Sequence, residues 1–140
     1  PLPSPGRARV MMLAIAGVES GCYARRQVPV GYARGLWQFE RGGGVAGVLT
    51  HRATAKHAAA ALARRQMPAE PAAVWIALER DDVLAGIFAR LLLLSDPAPL
   101  PDNQVTGRAI YLRTWRPGKP SSPAKWADSW TMAELAVAAT

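Results

Sequence analysis

The chain has few of the features that mark a disulfide-bonded or membrane-spanning protein. Cys22 is the only cysteine among its 140 residues, so no disulfide can form within the chain. The apolar stretch at residues 10–18 is far shorter than the roughly 20 residues of a membrane-spanning helix. It follows two arginines, as in a secretion signal, but Glu19 stands where a cleavage site requires small neutral residues. We therefore predict no membrane span, and synthesis in the cytoplasm without a signal peptide.

Residues that would bind a metal or a nucleotide are also scarce. His51 and His57 are six positions apart with no cysteine nearby, a spacing that puts them on different faces of a helix. Gly42, Gly44 and Gly47 fit the pattern G-x-G-x-x-G, but the strand and the strand-helix-strand unit that nucleotide binding requires are missing. We predict neither a metal site nor an organic cofactor.

Acidic residues are outnumbered. Seventeen lysines and arginines against ten acidic residues give a formal net charge of +7, which attracts anionic polymers such as nucleic acid, lipid surfaces or bacterial wall polymers. The basic residues are scattered, with no run long enough to form a basic arm. The charge therefore indicates a class of partner and not its identity.

Local patterns predict a helical protein. A chain of 140 residues, half of them hydrophobic, favours one domain over residues 1–140 with one core. Apolar residues recur at three- and four-residue steps from Pro5 to about Gly21, Asp81 is a suitable N-cap, and Pro68 ends a stretch of helix formers. The predicted helices cover about residues 5–21, 54–67, 71–78, 82–94, 106–115 and 131–139. Trp126 and Trp130, four residues apart, are expected on a further short helix that covers the core.

The regions between these helices contain little that predicts a sheet. Residues 22–44 are rich in glycine and form a long loop, with only residues 27–30 hinting at extended structure. Strands do not alternate with helices, and no repeat of about 20 to 50 residues is present. The expected fold is mainly α, or α+β with little sheet, with five to seven short helices and at most a small β-hairpin near the loop.

Glu19 is the candidate catalytic residue. It lies near the C-terminal end of the first predicted helix, beside apolar residues and just before the glycine-rich loop. Desolvation and the negative end of the helix dipole both raise the pKa of a carboxyl group in that position. A carboxyl group that keeps its proton near neutral pH can be the general acid in glycosidic bond cleavage. Most glutamates at helix ends are solvated surface residues, so the neighbouring sequence must decide.

That neighbouring sequence resembles a known superfamily. The chain reads ESGCYARRQ from Glu19 and ARGLWQFE from Ala33, which places Gln38 nineteen residues after Glu19. Lytic transglycosylases and goose-type lysozymes carry a helix-ending Glu-Ser and, at a similar distance, a Gly-Leu-Met-Gln motif that lines the sugar cleft. The chain is similar to this lysozyme-like superfamily, including its bacteriophage members, over residues 11–44, about a quarter of its length.

The resemblance implies roles for individual residues. Glu19 is then the catalytic acid, and Ser20 orients its carboxyl group or the substrate. The wall of the saccharide groove is formed by Gly35, Leu36, Trp37 and Gln38. Trp37 replaces the usual methionine, and its ring face can pack on sugar C–H surface while Gln38 exchanges hydrogen bonds with hydroxyl and N-acetyl groups. The alternative is that Trp37 is a core aromatic beneath the loop.

Two further residues are candidates for the cleft. The third motif of the family, Ala-Tyr-Asn, is absent, and Tyr111 in Ile110-Tyr111-Leu112 is the nearest candidate for its tyrosine, with core packing as the alternative. Glu40 lies on the same loop as Gln38 and can position water as a second carboxylate, or pair with a neighbouring arginine. Without it, the substrate N-acetyl group can assist, with Glu19 as acid and then base, and the product carries a 1,6-anhydromuramyl end.

The function implied is cleavage of the β-1,4 bond between N-acetylmuramic acid and N-acetylglucosamine in peptidoglycan strands of the bacterial cell wall, in the periplasm. We expect a monomer that binds no nucleic acid. Two alternatives from other classes are a non-catalytic glycan-binding or phage structural module on the same scaffold, since fold does not fix function, and a basic nucleic-acid-binding protein. The segment WRPGKP at residues 115–120 suits either an anionic glycan or single-stranded nucleic acid.

Overall fold

The computed structural model describes residues 6–27 and 31–140. Seven α-helices and one two-stranded antiparallel sheet lie within them, which confirms a mainly α fold with a small hairpin. In chain order the elements are α1 Gly6–Ser20, β1 Ala33–Arg34, β2 Phe39–Glu40, α2 Ala46–Thr50, α3 Ala55–Ala63, α4 Pro71–Leu78, α5 Asp82–Leu94, α6 Gln104–Trp115 and α7 Pro123–Ala138. Pro5 and residues 28–30, which belong to the predicted first helix and extended segment, lie outside the described residues. No helix of the described part is long and apolar enough to cross a membrane.

Helix α1 is held along its length by the core. Its buried face includes Met11, Ala14 and Ile15, at the three- and four-residue spacing that places side chains on one side of a helix. It packs against α7, where Ser129 Oγ donates to Ala14 O at 2.8 Å. Gly17 permits this approach, because a Cβ there would lie 2.1 Å from Ser129 Oγ. The packing fixes the position of the C-terminal turn of α1, which carries Glu19.

Helices α4 and α5 occupy the predicted ranges because strong local signals define them. Glu70 accepts from the first amides of α4, and Pro71 occupies its first turn. Asp81 caps α5 by accepting from Leu84 N at 2.9 Å, as the sequence predicts. The centre of α5, including Phe88 and the leucines of residues 91–93, is buried. Helix α6 begins two residues before its predicted start, because Asn103 caps it by accepting from Thr106 N.

Three further helices differ from the predicted ranges. Helix α3 ends at Ala63 and not near Met67, because Gln66 takes a φ of +52° and Met67 N donates to Leu62 O at 3.1 Å, a common helix-ending arrangement. Helix α7 begins at Pro123, with Ser122 as N-cap, and joins into one helix the short helix predicted at Trp126 and Trp130 and the helix predicted from residue 131. Helix α2 was not predicted, because the glycine-rich residues that lead into it have low helix propensity.

The hairpin rests on α4. Ala33 pairs with Glu40 and Arg34 with Phe39, and residues 35–38 form the turn between them. Gly35 has a φ of +78°, and a Cβ there would lie 2.8 Å from Leu78 O of α4. Arg34 makes a 2.7 Å ion pair with Glu79, and its guanidinium lies 3.9 Å from the Trp75 ring centre. These contacts attach the turn to the helical body and fix its position relative to α1.

Candidate active site

An open groove of about 1200 Å³ lies where α1 ends. Two sets of residues contribute most of its surface. We call the first the hairpin wall, which comprises Ala33, Gln38, Phe39, Glu40 and residues 42–44. We call the second the basic wall, which comprises residues 113–119, Ser121 and Lys125. Val18, Glu19 and Tyr111 line the groove as well.

Glu19 and Tyr111 form a hydrogen-bonded pair in this groove. Glu19 is half-buried in the last turn of α1, and the Tyr111 hydroxyl of α6 donates to Glu19 Oε1. The Tyr111 ring stacks on Trp126 of α7, with ring centres 5.1 Å apart and planes 5° apart. Because that stacking fixes the phenol ring, its hydroxyl holds the carboxyl group in one orientation. The sequence left core packing and a place in the cleft as alternatives for Tyr111. Its side chain packs in the core and also lines the groove.

The surroundings favour a protonated Glu19 and a neutral Tyr111. Burial raises the pKa of Glu19 above its ordinary value, and the hydrogen bond from Tyr111 offsets part of that rise. Burial also raises the pKa of Tyr111, and the bond to the Glu19 carboxyl raises it further. A neutral phenol remains a hydrogen-bond donor, and a raised pKa extends the pH range over which the Glu19 carboxyl keeps its proton. The shift is in the direction that a general acid requires.

Ser20 connects the helix end to the hairpin turn. Its hydroxyl proton has two acceptors in reach, Leu36 O at 2.6 Å and Ala16 O at 3.0 Å, and the first is closer. A hydroxyl has one proton to donate, so the bond to Leu36 is the better one. Ser20 thus positions the turn beside Glu19, and it does not line the groove.

The turn contributes one side chain to the groove. Gln38 lines the groove and is half-buried, with a φ of +53°. Its Nε2 donates to Gly35 O at 3.0 Å, across its own turn. Gly35 and Leu36 lie behind the surface, and neither contacts the groove. Gly35 therefore shapes the turn, and Leu36 supplies the carbonyl that Ser20 binds.

Trp37 does not line the groove, which corrects the expectation that it packs on sugar. Its side chain belongs to the hydrophobic core with 7% of its surface exposed, and its Nε1 donates to Met12 O at 2.8 Å. The ring reaches Gly86 of α5, which has no side chain to block it. The core reading of Trp37 that the sequence left open is thus the correct one.

Trp115, and not Trp37, is the tryptophan that contributes to the groove surface. From the sequence it was noted only as part of the segment at residues 115–120. It lines the groove, is half-buried, and its Nε1 donates to Trp37 O at 3.0 Å. Its ring meets the edge of Phe39, with centres 6.0 Å apart. The two walls therefore join at Trp115. The signal in the sequence was the segment WRPGKP, whose first five residues all line the groove.

Charges are unevenly distributed over the groove. Glu40 is exposed and is the one charged residue of the hairpin wall. The basic wall carries Arg113, Arg116, Lys119 and Lys125. Asp96 at the groove edge neutralises Arg113 through two hydrogen bonds, of 2.6 and 3.0 Å. The remaining cations favour an anionic ligand along the basic wall.

Gly44 and His51 have local structural explanations. Gly42 and Gly44 lie in an irregular turn over residues 41–45 that follows β2 and is kinked at Gly43, and Gly44 makes room for Phe39, whose ring would lie 2.6 Å from a Cβ there. His51 Nδ1 accepts from Ala53 N at 3.0 Å. Among the described residues, no group of three or more histidine, cysteine or acidic side chains could hold a metal ion.

Comparison with protein-family models, curated proteins and solved structures finds no match to this chain. The candidate site therefore depends on its own geometry, with four of the eight residues named from sequence lining one groove: Glu19, Gln38, Glu40 and Tyr111. The other four, Ser20, Gly35, Leu36 and Trp37, support that surface from behind.

Proposed function

We propose that this chain is a peptidoglycan-cleaving glycosidase of the lysozyme-like type, with Glu19 as general acid. The bond cleaved is the β-1,4 linkage between N-acetylmuramic acid and N-acetylglucosamine. The observation that carries the proposal is the buried Glu19 carboxyl, oriented by Tyr111 in an open groove with room for a polymer. The link from Ser20 to the turn that presents Gln38 supports the same reading.

The geometry suggests how the proton is transferred. Tyr111 donates to Oε1 of Glu19, so the transferable proton is on Oε2. That proton passes to the glycosidic oxygen as its bond to the muramic acid C1 breaks, and positive charge develops on the ring carbon and oxygen. The burial that raises the Glu19 pKa extends the pH range over which the group carries the proton that it donates. After the step, Glu19 is a carboxylate and can act as base.

The second half of the reaction has two routes. In one, the substrate N-acetyl oxygen bonds to C1 as the glycosidic bond breaks. The C6 hydroxyl oxygen or a water oxygen then attacks C1 and displaces the N-acetyl oxygen, while Glu19 takes the proton of the attacking group. Attack by the C6 oxygen leaves an anhydro end, and attack by water leaves a reducing end. In the other, Glu40 of the hairpin wall positions a water molecule. Glu40 is exposed in the groove. Because it takes part only in the second route, its loss should lower activity only if that route operates.

The decisive experiment compares two glutamate variants. Glu19→Gln keeps the size of the side chain but removes the proton donor, and Glu134→Gln makes the same change at an exposed residue of α7 outside the groove. We expect Glu19→Gln to lose at least about a hundredfold in the rate of clearing purified peptidoglycan, and Glu134→Gln to keep the parent rate. Circular dichroism checks that both variants fold. Equal rates for the parent and Glu19→Gln would exclude this mechanism.

Mass spectrometry of the digested glycan identifies the bond and the route. Anhydro ends indicate attack by the C6 hydroxyl, and reducing ends indicate hydrolysis. A Glu40→Gln variant that loses activity would assign the water to Glu40. A parent protein that binds peptidoglycan but releases no fragments would contradict the enzyme and favour a non-catalytic glycan-binding module.

A further inference from the structure

The basic wall carries more positive charge than the proposed reaction needs. Asp96 pairs with Arg113, but among residues 6–27 and 31–140 no carboxylate forms an ion pair with Arg116, Lys119 or Lys125. All three side chains are exposed and line the groove. They therefore form a cationic strip beside Glu19, which a neutral sugar would leave without a partner.

The position of Lys125 indicates a cost to folding. Lys125 lies in the first turn of α7, where its backbone N–H donates to the Ser122 side chain at 3.1 Å, and the first turn has no acidic residue. The N-terminal end of a helix dipole is positive, so a lysine there is less favourable than a neutral or acidic residue. Together with the exposed Arg116 and Lys119, this placement is explained by an anionic group that binds at the helix start.

The basic wall is also preorganised. Arg108 Nη2 donates to Ser121 O at 2.8 Å, and Trp115 Nε1 is bonded to Trp37 O. Pro117, like Pro120 after it, fixes φ and limits the conformations that the segment can adopt. Because both ends of the segment are attached to the helical body, its backbone keeps its place relative to the helices without a bound ligand.

We propose that Arg116, Lys119 and Lys125 bind the carboxylates of the peptide stems on N-acetylmuramic acid, so that the groove selects stem-bearing strands. This inference rests on the proposed function. The uneven charge supports it, because N-acetylglucosamine is neutral and suits the hairpin wall, whereas the carboxylates of a glycan strand are confined to its muramyl units. The same cations suit the phosphates of wall teichoic acids, and the experiment separates the two anions.

The test measures binding in a catalytically disabled background. Glu19→Gln protein is incubated with three forms of insoluble peptidoglycan, which are untreated, freed of stems by an amidase, and freed of teichoic acid by hydrofluoric acid. Two triple variants are made in this background. The groove triple carries Arg116→Gln, Lys119→Gln and Lys125→Gln. The control triple carries Arg9→Gln, Lys56→Gln and Arg80→Gln. The control residues are exposed, lie outside the groove, and remove the same charge.

We expect the groove triple variant to bind untreated peptidoglycan about tenfold more weakly, and the control triple to bind nearly as well as its background. Amidase treatment removes the stem carboxylates and leaves one lactyl carboxylate on each muramic acid, so it should lower the affinity of the background protein and narrow the difference between the two triples. Equal binding to stem-bearing and stem-free glycan would overturn the inference, as would a loss caused only by hydrofluoric acid, which would identify phosphate as the anion. Failure of Glu19→Gln protein to bind any glycan would instead contradict the proposed function.

A substitution at Lys125 separates a role in binding from a role in stability, because the two roles predict opposite shifts in the midpoint of thermal unfolding. Lys125→Glu should raise the midpoint of thermal unfolding, because it places a negative charge at the positive end of α7, while it weakens binding to stem-bearing glycan. A lower midpoint together with weaker binding would mean that Lys125 supports the fold and does not bind the stem.

Discussion

The hairpin wall and the basic wall contribute to the groove in different ways. The hairpin wall is built from glycines and small residues with a single charge, and ion pairs on its far side, from Arg26 and Arg34 to Glu79, hold it on α4. The basic wall has its charges on the groove side, and two hydrogen bonds and its prolines brace it from behind. The difference indicates that the first wall provides shape and the second provides charge. Glu19 and Tyr111 belong to neither wall and supply the candidate proton donor.

The largest effect is expected where the walls join. Trp115→Ala removes a half-buried ring that contacts Phe39 and Tyr111 and donates to Trp37 O, so it should lower the free energy of unfolding by about 3 kcal/mol. Trp115→Phe keeps most of the ring contact and loses the donor, and should cost about 1 kcal/mol. Urea unfolding measures both. Equal losses in the two variants would mean that the hydrogen bond, and not the packing, joins the walls.

The turn behind the hairpin wall should tolerate a change at glycine less well than the basic wall does. Gly35→Ala forces an alanine to a φ of +78° with its Cβ 2.8 Å from Leu78 O, and should destabilise the protein by about 2 kcal/mol. Gly118→Ala is the matched change in the basic wall, where a Cβ meets no atom within 4 Å, and should change stability by less than about 0.5 kcal/mol. If thermal unfolding gives similar shifts for both variants, the two glycines do not differ in how closely they are packed, and this part of the comparison is wrong.

Tyr111 between the walls should control the pH dependence of activity. The proton-donating form of Glu19 is lost as pH rises through its pKa, and the hydrogen bond from Tyr111 lowers that pKa. Tyr111→Phe should therefore move the alkaline limb of kcat/KM to higher pH, and it should lower the maximal rate about tenfold because the carboxyl group loses its orientation. Tyr23→Phe, at a tyrosine 83% exposed, is the control. A limb that moves to lower pH would contradict the assignment of Glu19.

The smallest effect is expected for Asp96, whose carboxylate neutralises Arg113 of the basic wall. The hydrogen bonds from Arg113 and, to a lesser extent, the Ala98 amide lower the Asp96 pKa against an opposing effect of burial. The folded protein therefore binds this proton less tightly than the unfolded chain. The stabilisation is complete above the unfolded pKa of about 3.9 and is lost as pH falls through the lower folded pKa.

Asp96→Asn should cost about 1 kcal/mol at neutral pH, since the Arg113 side of the pair is open to solvent. Denaturant titrations of the parent and Asp96→Asn at neutral and acidic pH test this. The difference between the two proteins should shrink as the pH falls. A difference that stays constant with pH would show that the ion pair is not its source.

The helical elements differ in how far local sequence specified them. Helix α5 was predicted with its cap and its end because an aspartate N-cap, a run of helix formers and a following proline all act within a few residues. Helix α7 was predicted in two pieces, a short helix at Trp126 and Trp130 and a helix from residue 131, because residues 123–130 include two tryptophans and a proline, which have low helix propensity. There, burial of Trp126 and Trp130 in the core stabilises a helix that propensity alone does not favour.

Within the candidate site, the sequence by itself determined that a glutamate ends the first helix and that a glycine-containing turn with Gln38 follows it at a fixed spacing. The direction of Trp37 could not be read from that spacing, because a turn can present either face to the core, and its burial there and its hydrogen bond to Met12 O are tertiary contacts. Tyr111 is 92 positions from Glu19, and the cations of the basic wall are farther still along the chain. Only the packing of α6 against α7 and of α7 against α1 brings them to one groove, because contacts between distant segments depend on the whole core and not on any local pattern.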